Sequence, residues 1–217
     1  MQEVRRNVHG KKVVKIVLTG GPCAGKSTCT SRIEEFVSQH YGDEWSCYTV
    51  AEAASTLYSM GCITRQELIG EKLKRWQRDI VECAMTFEKA YDNIAAAEHR
   101  FHTLIVCDRG ALDPKVFTPP EMWTEILQDM HTTEHELMAR YDQVIVLHSA
   151  NKTDYTVSNN AKRRENCEEA SEVDKKYVGI WREHPNVEDV SENSAQSFDR
   201  KVSAVLSIVE KILTARN

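Results

Sequence analysis

Apolar residues follow two different periods along this chain. Short runs rich in β-branched residues at 12–19, 46–51, 103–108 and 143–148, with a weaker run at 187–190, predict buried β-strands. The longer segments between these runs carry apolar residues at helical spacing and predict helices. Such an alternation is typical of α/β proteins, in which helices cover both faces of a parallel sheet. Ligands of these sheets bind at the carboxyl ends of the strands, so polar residues that follow the strands are the first candidates for a site.

Two helical stretches are marked strongly enough to predict a buried face. The first runs from Arg65 to Arg100, and the second lies near the end of the sequence. Their apolar residues recur every three or four positions, as Ile69, Leu73, Trp76, Ile80, Cys83, Phe87, Ala90 and Ile94 in the first and as Phe198, Val202, Val205, Val209 and Ile212 in the second. A stripe of this kind usually packs on a core, and a dimer seam is the alternative for the first helix.

The first predicted strand leads into Gly20-Gly21-Pro22-Cys23-Ala24-Gly25-Lys26-Ser27, which matches the phosphate-binding pattern G-x-x-x-x-G-K-[ST]. Helical spacing follows from Thr28 to His40. In this order of strand, loop and helix, N–H groups at the helix start face an anion, and glycines let the backbone approach it closely. We predict that Lys26 reaches the β- and γ-phosphates of ATP or GTP and that Ser27 ligates Mg²⁺. The predicted nucleotide-binding residues are Gly20, Gly21, Pro22, Cys23, Ala24, Gly25, Lys26, Ser27 and Thr28.

Acidic residues end two further predicted strands. We predict that Asp108 holds Mg²⁺, directly or through water, and that Arg109 clamps the transferred phosphate or the acceptor; a strand-capping turn is the alternative. Glu52 is suited to deprotonate or bind an acceptor hydroxyl, and it is equally suited to stabilise the start of the next helix. For Asp113 the two interpretations are evenly balanced.

A basic segment follows the fourth predicted strand. Arg163 and Arg164 lie within 160–165, and we predict a lid-like segment over 151–168. Arginines on a lid neutralise charge during phosphoryl transfer, and a solvated helix start accounts for them equally well.

Two motif matches lack the context that their chemistry needs. The segment from His131 to His135 fits the zinc-binding pattern H-x-x-E-H, but no third ligand follows at a suitable spacing. The segment from Asn151 to Asp154 resembles the guanine-reading N-K-x-D of Ras-like GTPases, yet Asp108 to Ala111 does not supply their D-x-x-G. We interpret both as chance matches, and the second leaves guanine open.

Length and composition limit the function classes. The 217 residues fit one domain over 1–217, with a basic extension at 1–11 that predicts at most weak contact with anionic lipid. The net charge of −5 does not favour nucleic acid as a partner, and no apolar run is long enough to span a bilayer. Seven cysteines without C-x-x-C pairs fit a reducing compartment and predict a cytoplasmic protein. The oligomeric state stays open.

Taken together, these motifs resemble the P-loop kinase-like family that groups nicotinamide-riboside-kinase-type domains with the eukaryotic channel-translocation-defect NTPases. The resemblance covers about residues 13–213 and rests on K-I-V-L-T-G-G-P-C-x-G-K-S at 15–27, A-E-A-A at 51–54, C-D-R-G-A-x-D at 107–113, N-N-A-x-R-x-E at 159–165 and H-P at 184–185. It implies a three-layer α/β P-loop NTPase fold like that of nucleoside and nucleotide kinases. The implied parallel sheet has five strands in the order 2-3-1-4-5, with a helical lid. By position, the resemblance assigns phosphate and Mg²⁺ to Lys26 and Ser27, a strand-end pair to Asp108 and Arg109, and a lid position to Arg163.

The leading hypothesis from the sequence is a Mg²⁺-dependent enzyme that transfers the γ-phosphoryl of ATP or GTP to a small hydroxyl-bearing, nucleoside-like or nucleotide-like acceptor. The alternative is a regulatory ATPase or GTPase switch in trafficking or membrane-associated signalling, with slow hydrolysis and a protein or lipid partner. A P-loop scaffold that has lost turnover is a third interpretation, which the intact Lys26, Ser27 and Asp108 disfavour.

Overall fold

A parallel five-stranded sheet forms the centre of the protein. The computed structural model describes residues 5–61, 63–148, 167–190 and 198–215. The strands are β1 (Val13–Gly20), β2 (Trp45–Val50), β3 (His102–Asp108), β4 (Gln143–Leu147) and β5 (Val187–Val190). They pair in the order β2-β3-β1-β4-β5, and every pairing is parallel. The implied strand order is therefore confirmed, and each strand lies within one residue of its predicted range.

Seven helices are present among the described residues: α1 (Lys26–Tyr41), α2 (Ala53–Gly61), α3 (Glu71–Ala97), α4 (Pro120–Asp129), α5 (Glu134–Met138), α6 (Cys167–Trp181) and α7 (Phe198–Thr214). Short 3₁₀ turns lie at Arg65–Glu67 and Asp113–Phe117. The crossovers between parallel strands carry the helices to the two faces of the sheet, as the alternating pattern predicts.

The sheet separates two apolar cores. All eight residues of β1 are buried, and their side chains alternate between the faces. Val13 and Val17 belong to a core shared with α3, α4, α5 and α6, whereas Ile16 and Leu18 belong to one shared with α1 and α7. The architecture is therefore the predicted three-layer α/β arrangement, and the end of β1 lies at the middle of the sheet edge.

The prediction of one long helix from Arg65 to Arg100 is wrong in two respects. The helix α3 begins only at Glu71, because Gly70 has a φ of 54° and follows a separate 3₁₀ turn. The predicted apolar stripe is also only partly buried, since Ile69 is 73% exposed and Ile94 is 47% exposed. The buried residues of α3 are Gln77, Ile80, Val81, Glu88 and Ala95.

A buried ion cluster explains part of this difference. Lys15 of β1 is buried, and its Nζ lies 3.3 Å from Glu88 Oε2 and 2.8 Å from Asp92 Oδ2. Arg140 also pairs with Glu88, and the hydroxyl of Tyr141 donates to its Oε1 at 2.6 Å. Because these charges satisfy one another, α3 can direct a carboxylate at the sheet where a hydrophobic pattern predicts an apolar residue.

The two remaining expectations concern membranes and metals. Within the part of the chain that the structure describes, no helix has both the length and the apolar character to cross a bilayer. Glu134 of the H-x-x-E-H match pairs with Lys115 at 2.6 Å and accepts from Trp123 Nε1 at 2.9 Å, which joins α5 to α4 and the second 3₁₀ turn. That residues 1–217 form a single domain stays a prediction.

Candidate nucleotide and acceptor site

The predicted P-loop turns sharply between β1 and α1, and two of its positions favour glycine by conformation, one of them also by a close backbone approach. Gly20 has a φ of 130°, and a Cβ there would lie 1.9 Å from the carbonyl oxygen of Leu147. Gly25, at the start of α1, has a φ of 88°, and a Cβ there would lie 2.4 Å from Cε2 of Phe198. Glycine is therefore the residue that lets β1, β4 and α7 close around this loop.

Lys26 is folded back onto the loop. Its Nζ donates to the carbonyl oxygens of Gly20 at 3.2 Å and Gly21 at 2.8 Å, and the residue is only 8% exposed. The pKa of Lys26 is lowered from 10.5 to about 8, mainly by burial and also by Arg109, while Asp108, Glu52 and Asp113 oppose the shift. A buried ammonium that is hydrogen-bonded to carbonyl groups fits a site that receives an anion.

Ser27 and Asp108 meet beside Lys26. The Ser27 hydroxyl donates to Asp108 Oδ2 at 3.0 Å, while Asp108 Oδ1 is enclosed and has no hydrogen-bond partner among the described residues. Burial raises the pKa of Asp108, and the Ser27 hydrogen bond and Lys26 oppose that shift. A hydroxyl and an unpartnered carboxylate oxygen are the hard oxygen ligands that Mg²⁺ prefers, so these residues fit the predicted metal.

Arg109 connects the end of β3 to α2 and α6. Its φ of 73° is in the left-handed region that non-glycine residues rarely adopt. The Nε lies 2.9 Å from Glu52 Oε1, Nη1 donates to the hydroxyl of Tyr177, and the guanidinium carbon lies 4.9 Å from the centre of the Tyr177 ring. Glu52 Oε2 accepts from Ser55 Oγ at 2.7 Å. The structure thus brings together Glu52 and Arg109, whose pairing the sequence did not predict.

Asp113 is a buried junction between three parts of the fold. Its Oδ2 accepts from Thr19 Oγ1 at 2.7 Å and from the Gly110 amide at 3.2 Å, and its Oδ1 accepts from Trp181 Nε1 at 2.7 Å. Burial raises the pKa of Asp113, although Arg109 and these hydrogen bonds oppose the shift. The carboxylate therefore ties β1 to the loop after β3 and to α6.

A cavity of about 410 Å³ opens beside the P-loop. Pro22 of the loop borders it, as do Glu52 and Arg109 at the ends of β2 and β3. The other walls come mainly from α2, α3, α6 and the two 3₁₀ turns. Its size is within the range of small-molecule sites in proteins, and its position at the carboxyl ends of the strands is the one predicted for ligands.

Several predicted elements fall outside the described residues. These are Arg163, Arg164, the N-N-A-x-R-x-E string, the N-K-x-D match and most of the lid-like segment at 151–168. The part of that segment that is described, from Cys167, belongs to the first turn of α6.

Sequence reasoning missed the contribution of α6 and of α3. Asp174 Oδ1 accepts from the P-loop amide of Gly21 at 2.8 Å, and Tyr177 contacts Arg109. The four-residue spacing of Val173, Tyr177 and Trp181 was a usable signal for a buried face directly after the lid-like segment. Gln77 carried no signal, because a polar residue on a helix is ordinarily exposed.

Comparison with known families agrees with this geometry. The sequence profile of a family described as an AAA domain matches residues 15–197, which include the P-loop, Glu52, Asp108 and Arg109. The chain belongs to this AAA domain family. No curated protein sequence matches the chain significantly. The family and the sheet order together identify a kinase-like P-loop NTPase domain, and this fold implies nucleotide binding, typically with Mg²⁺.

Solved structures of the same fold include a thymidylate kinase and NadR protein. A thymidylate kinase from Ehrlichia chaffeensis is 11% identical, with a TM-score of 0.58, and the match covers 93% of this chain and 99% of that one. NadR protein in complex with NAD and AMP-PNP is 13% identical, with a TM-score of 0.64, over 94% of this chain and 51% of that one. NadR protein in complex with NR is 12% identical, with a TM-score of 0.61, over 94% and 52%. The AAA domain chain therefore spans about half the length of the NadR chains, and at these identities the likeness concerns the fold.

Proposed function

We propose that this protein transfers the γ-phosphoryl group of ATP or GTP, with Mg²⁺, to a hydroxyl of a small organic acceptor bound in the cavity beside the P-loop. The observation that carries the proposal is the cavity itself. It borders the P-loop at Pro22 and has the Glu52–Arg109 pair on its wall, so an acceptor held there lies next to a carboxylate and a cation. The narrower resemblance to nicotinamide-riboside-kinase-type domains stays a proposal, supported by the fold shared with NadR.

The P-loop side binds the nucleotide. Amides at the start of α1 and the Lys26 ammonium bind the β- and γ-phosphates, and Lys26 exchanges its bonds to loop carbonyls for bonds to phosphate oxygens. Ser27 and Asp108 would hold Mg²⁺, which when bound supplies positive charge against the phosphates. Triphosphate binding would therefore bring negative charge next to the Lys26 ammonium. In the nucleotide-free protein this ammonium is buried and bonds only loop carbonyls among the described residues.

The acceptor side performs the proton transfer. Glu52 accepts the proton of the acceptor hydroxyl, the oxygen lone pair forms a bond to the γ-phosphorus, and the bond from that phosphorus to the β-γ bridging oxygen breaks. The nucleoside diphosphate leaves with the electron pair. Arg109 orients Glu52 through the 2.9 Å ion pair and would stabilise the negative charge that develops during transfer. Ser55 fixes the other carboxylate oxygen of Glu52.

Two measurements test this function. Calorimetric titration with ATP and GTP in Mg²⁺ should show saturable binding that Lys26→Ala weakens by about 100-fold or more, because Lys26 contacts the phosphates. Turnover with a panel of nucleosides and nucleotides should then rise with one acceptor. Glu52→Gln should keep triphosphate binding and lower the acceptor-dependent rate by about 10²–10⁴-fold. Glu121→Gln, on the exposed start of α4, is the matched control.

Three results would contradict parts of the proposal. Unchanged nucleotide affinity in Lys26→Ala removes the P-loop assignment. An acceptor-dependent rate that survives in Glu52→Gln removes the proton-acceptor role of Glu52. Tight triphosphate binding with only slow, acceptor-independent hydrolysis favours the alternative of a regulatory switch and directs the search to protein or lipid partners.

A further inference from the structure

Gln77 is a buried polar side chain without a hydrogen bond to the described part of the chain. It lies on α3, is 6% exposed and borders the cavity. Its side-chain amide makes no hydrogen bond to any residue that the structure describes. Because the residue is largely buried and borders the cavity, the partner of its amide, whether water or ligand, is expected inside the cavity. The amide keeps accessible surface, because it is absent from the fully enclosed polar atoms of the described residues that lack partners.

The acidic groups on the cavity wall do not share this property. Glu52 is paired with Arg109, Glu88 is paired with Lys15, and Asp113 accepts three hydrogen bonds, although all three acidic residues border the same cavity. These carboxylates are therefore bound to the protein itself. Gln77 has hydrogen-bonding capacity that is free for a ligand.

Much of the cavity wall beside Gln77 is apolar, although Arg65 also borders the cavity. Its neighbours at helical spacing on α3, Leu73, Ile80 and Ala84, border the cavity with it. The rings of Tyr58 and Phe117 contribute further wall. A primary amide presents one donor and one acceptor side by side, so its complement is a planar group that presents an acceptor next to a donor. The edges of nucleobases have this arrangement, and their faces suit aromatic walls.

We propose that Gln77 is the residue that determines acceptor specificity, by hydrogen-bonding the donor–acceptor edge of a nucleobase on a nucleoside acceptor. The role of the nucleoside as a phosphoryl acceptor rests on the proposed function, whereas the binding of its base to Gln77 does not. In this arrangement the base occupies the apolar part of the cavity near α3. The sugar hydroxyl then lies toward Glu52 and the P-loop, at the other wall of the same cavity.

Nucleoside pairs that differ only in the base edge test this inference without added bulk. Uridine and cytidine are compared with 2-pyrimidinone riboside, and adenosine and inosine are compared with purine riboside, which lacks the exocyclic group of both. Binding to the full chain is measured by calorimetry without triphosphate, for the wild type, Gln77→Leu and the control Gln128→Leu, whose side chain is exposed on α4. Equilibrium binding requires no turnover, so it is independent of the reaction.

In the wild type and in Gln128→Leu, at least one nucleoside should bind about 10- to 100-fold more tightly than its edge-deleted parent, because the parent leaves the amide unpaired. In Gln77→Leu that preference should fall below about 3-fold. Such a loss couples the substitution at Gln77 to the removal of the base edge, and a merely structural role of Gln77 would not produce it. If Gln77→Leu folds poorly, Gln77→Glu replaces it. A carboxylate would face the carbonyl of uridine or inosine, so these two nucleosides should lose the preference.

Three outcomes overturn the assignment of Gln77. The first is a base-edge preference that persists in Gln77→Leu. The second is equal binding of all nucleosides and their edge-deleted parents by the wild type. The third is a wild type that binds Mg²⁺-triphosphate but no nucleoside. The proposed function fails separately. A Gln77-dependent preference without acceptor-stimulated turnover would contradict phosphoryl transfer and leave the recognition by Gln77 in place. Stimulated turnover without that preference would have the opposite meaning.

Discussion

Replacing Lys26 by methionine should stabilise the nucleotide-free protein in a pH-dependent way, although it removes a group that we assign to catalysis. The ammonium of Lys26 is buried and bonded only to loop carbonyls among the described residues, and burial is the main reason that its pKa falls from 10.5 to about 8. Below about pH 8 this lysine is charged in both the folded and the unfolded chain, and the folded state carries the whole cost of burying the charge.

The size of the effect follows from the shift in pKa. A fall from 10.5 to about 8 corresponds to about 3 kcal/mol of unfolding free energy at neutral pH. As the pH rises from about 8 toward 10.5, the folded state releases its proton first and this cost declines. By about pH 9.5 the free energy of unfolding of the wild type should rise by about 2 kcal/mol from this effect, whereas that of Lys26→Met contains no such cost to recover. Methionine also leaves the Gly20 and Gly21 carbonyls unpaired, but that cost does not depend on pH.

Urea unfolding of both proteins near pH 7 and near pH 9.5 provides the measurement. The unfolding free energy of Lys26→Met minus that of the wild type should fall by about 2 kcal/mol from pH 7 to pH 9.5. The contributions of other titrating groups cancel in this difference. The exposed Lys72→Met is the control, since a surface substitution changes stability by about 0.5 kcal/mol or less. A difference that stays constant with pH would refute the reasoning, because it would mean that burial in the nucleotide-free protein does not lower the pKa of Lys26.

Three further substitutions test other contacts of the site. Asp108→Asn should weaken the Mg²⁺-dependent part of triphosphate binding by about 10-fold or more in calorimetry, whereas unchanged Mg²⁺ dependence would exclude a metal ligand there. Trp181→Phe removes the donor to Asp113 Oδ1 and should cost about 1–3 kcal/mol in urea unfolding; a smaller loss would mean that water replaces the indole. Gly25→Ala should lower both stability and triphosphate affinity, because its Cβ would meet Phe198 and its φ is 88°. Adding Phe198→Ala should recover only the part due to the clash.

The strands and the P-loop were predictable because each depends on local sequence. A buried parallel strand needs a continuous apolar run, and the tight turn after β1 needs glycine, so residues such as Val17 and Gly20 carry their own signal. Placing Asp108 beside Ser27 required only the rule that site residues gather at the carboxyl ends of strands, and the two side chains meet at 3.0 Å.

The contacts between distant elements were not predictable in this way. Arg109 binds Glu52 and Tyr177, which lie 57 and 68 positions away in the sequence, and no local pattern relates the three. The inner face of α3 was misread for a related reason. A pattern that assigns burial to apolar residues cannot find Glu88, whose charge is neutralised by Lys15 from β1, or Gln77, whose partner we place in a ligand.

The dimensions of the cavity bear on the choice between a transferase and a switch. An NTPase that only hydrolyses its nucleotide needs room for one attacking water, which occupies about 30 Å³ in the liquid. The cavity beside Pro22 measures about 410 Å³, more than ten times that volume. Much of its wall is apolar carbon that water hydrates poorly, and the Gln77 amide on that wall has no hydrogen bond to the described residues. A ligand large enough to cover that surface removes this cost and also bonds the amide, whereas a switch that leaves the cavity empty would retain the cost through every cycle. The cavity therefore supports transfer to a bound organic acceptor over transfer to water.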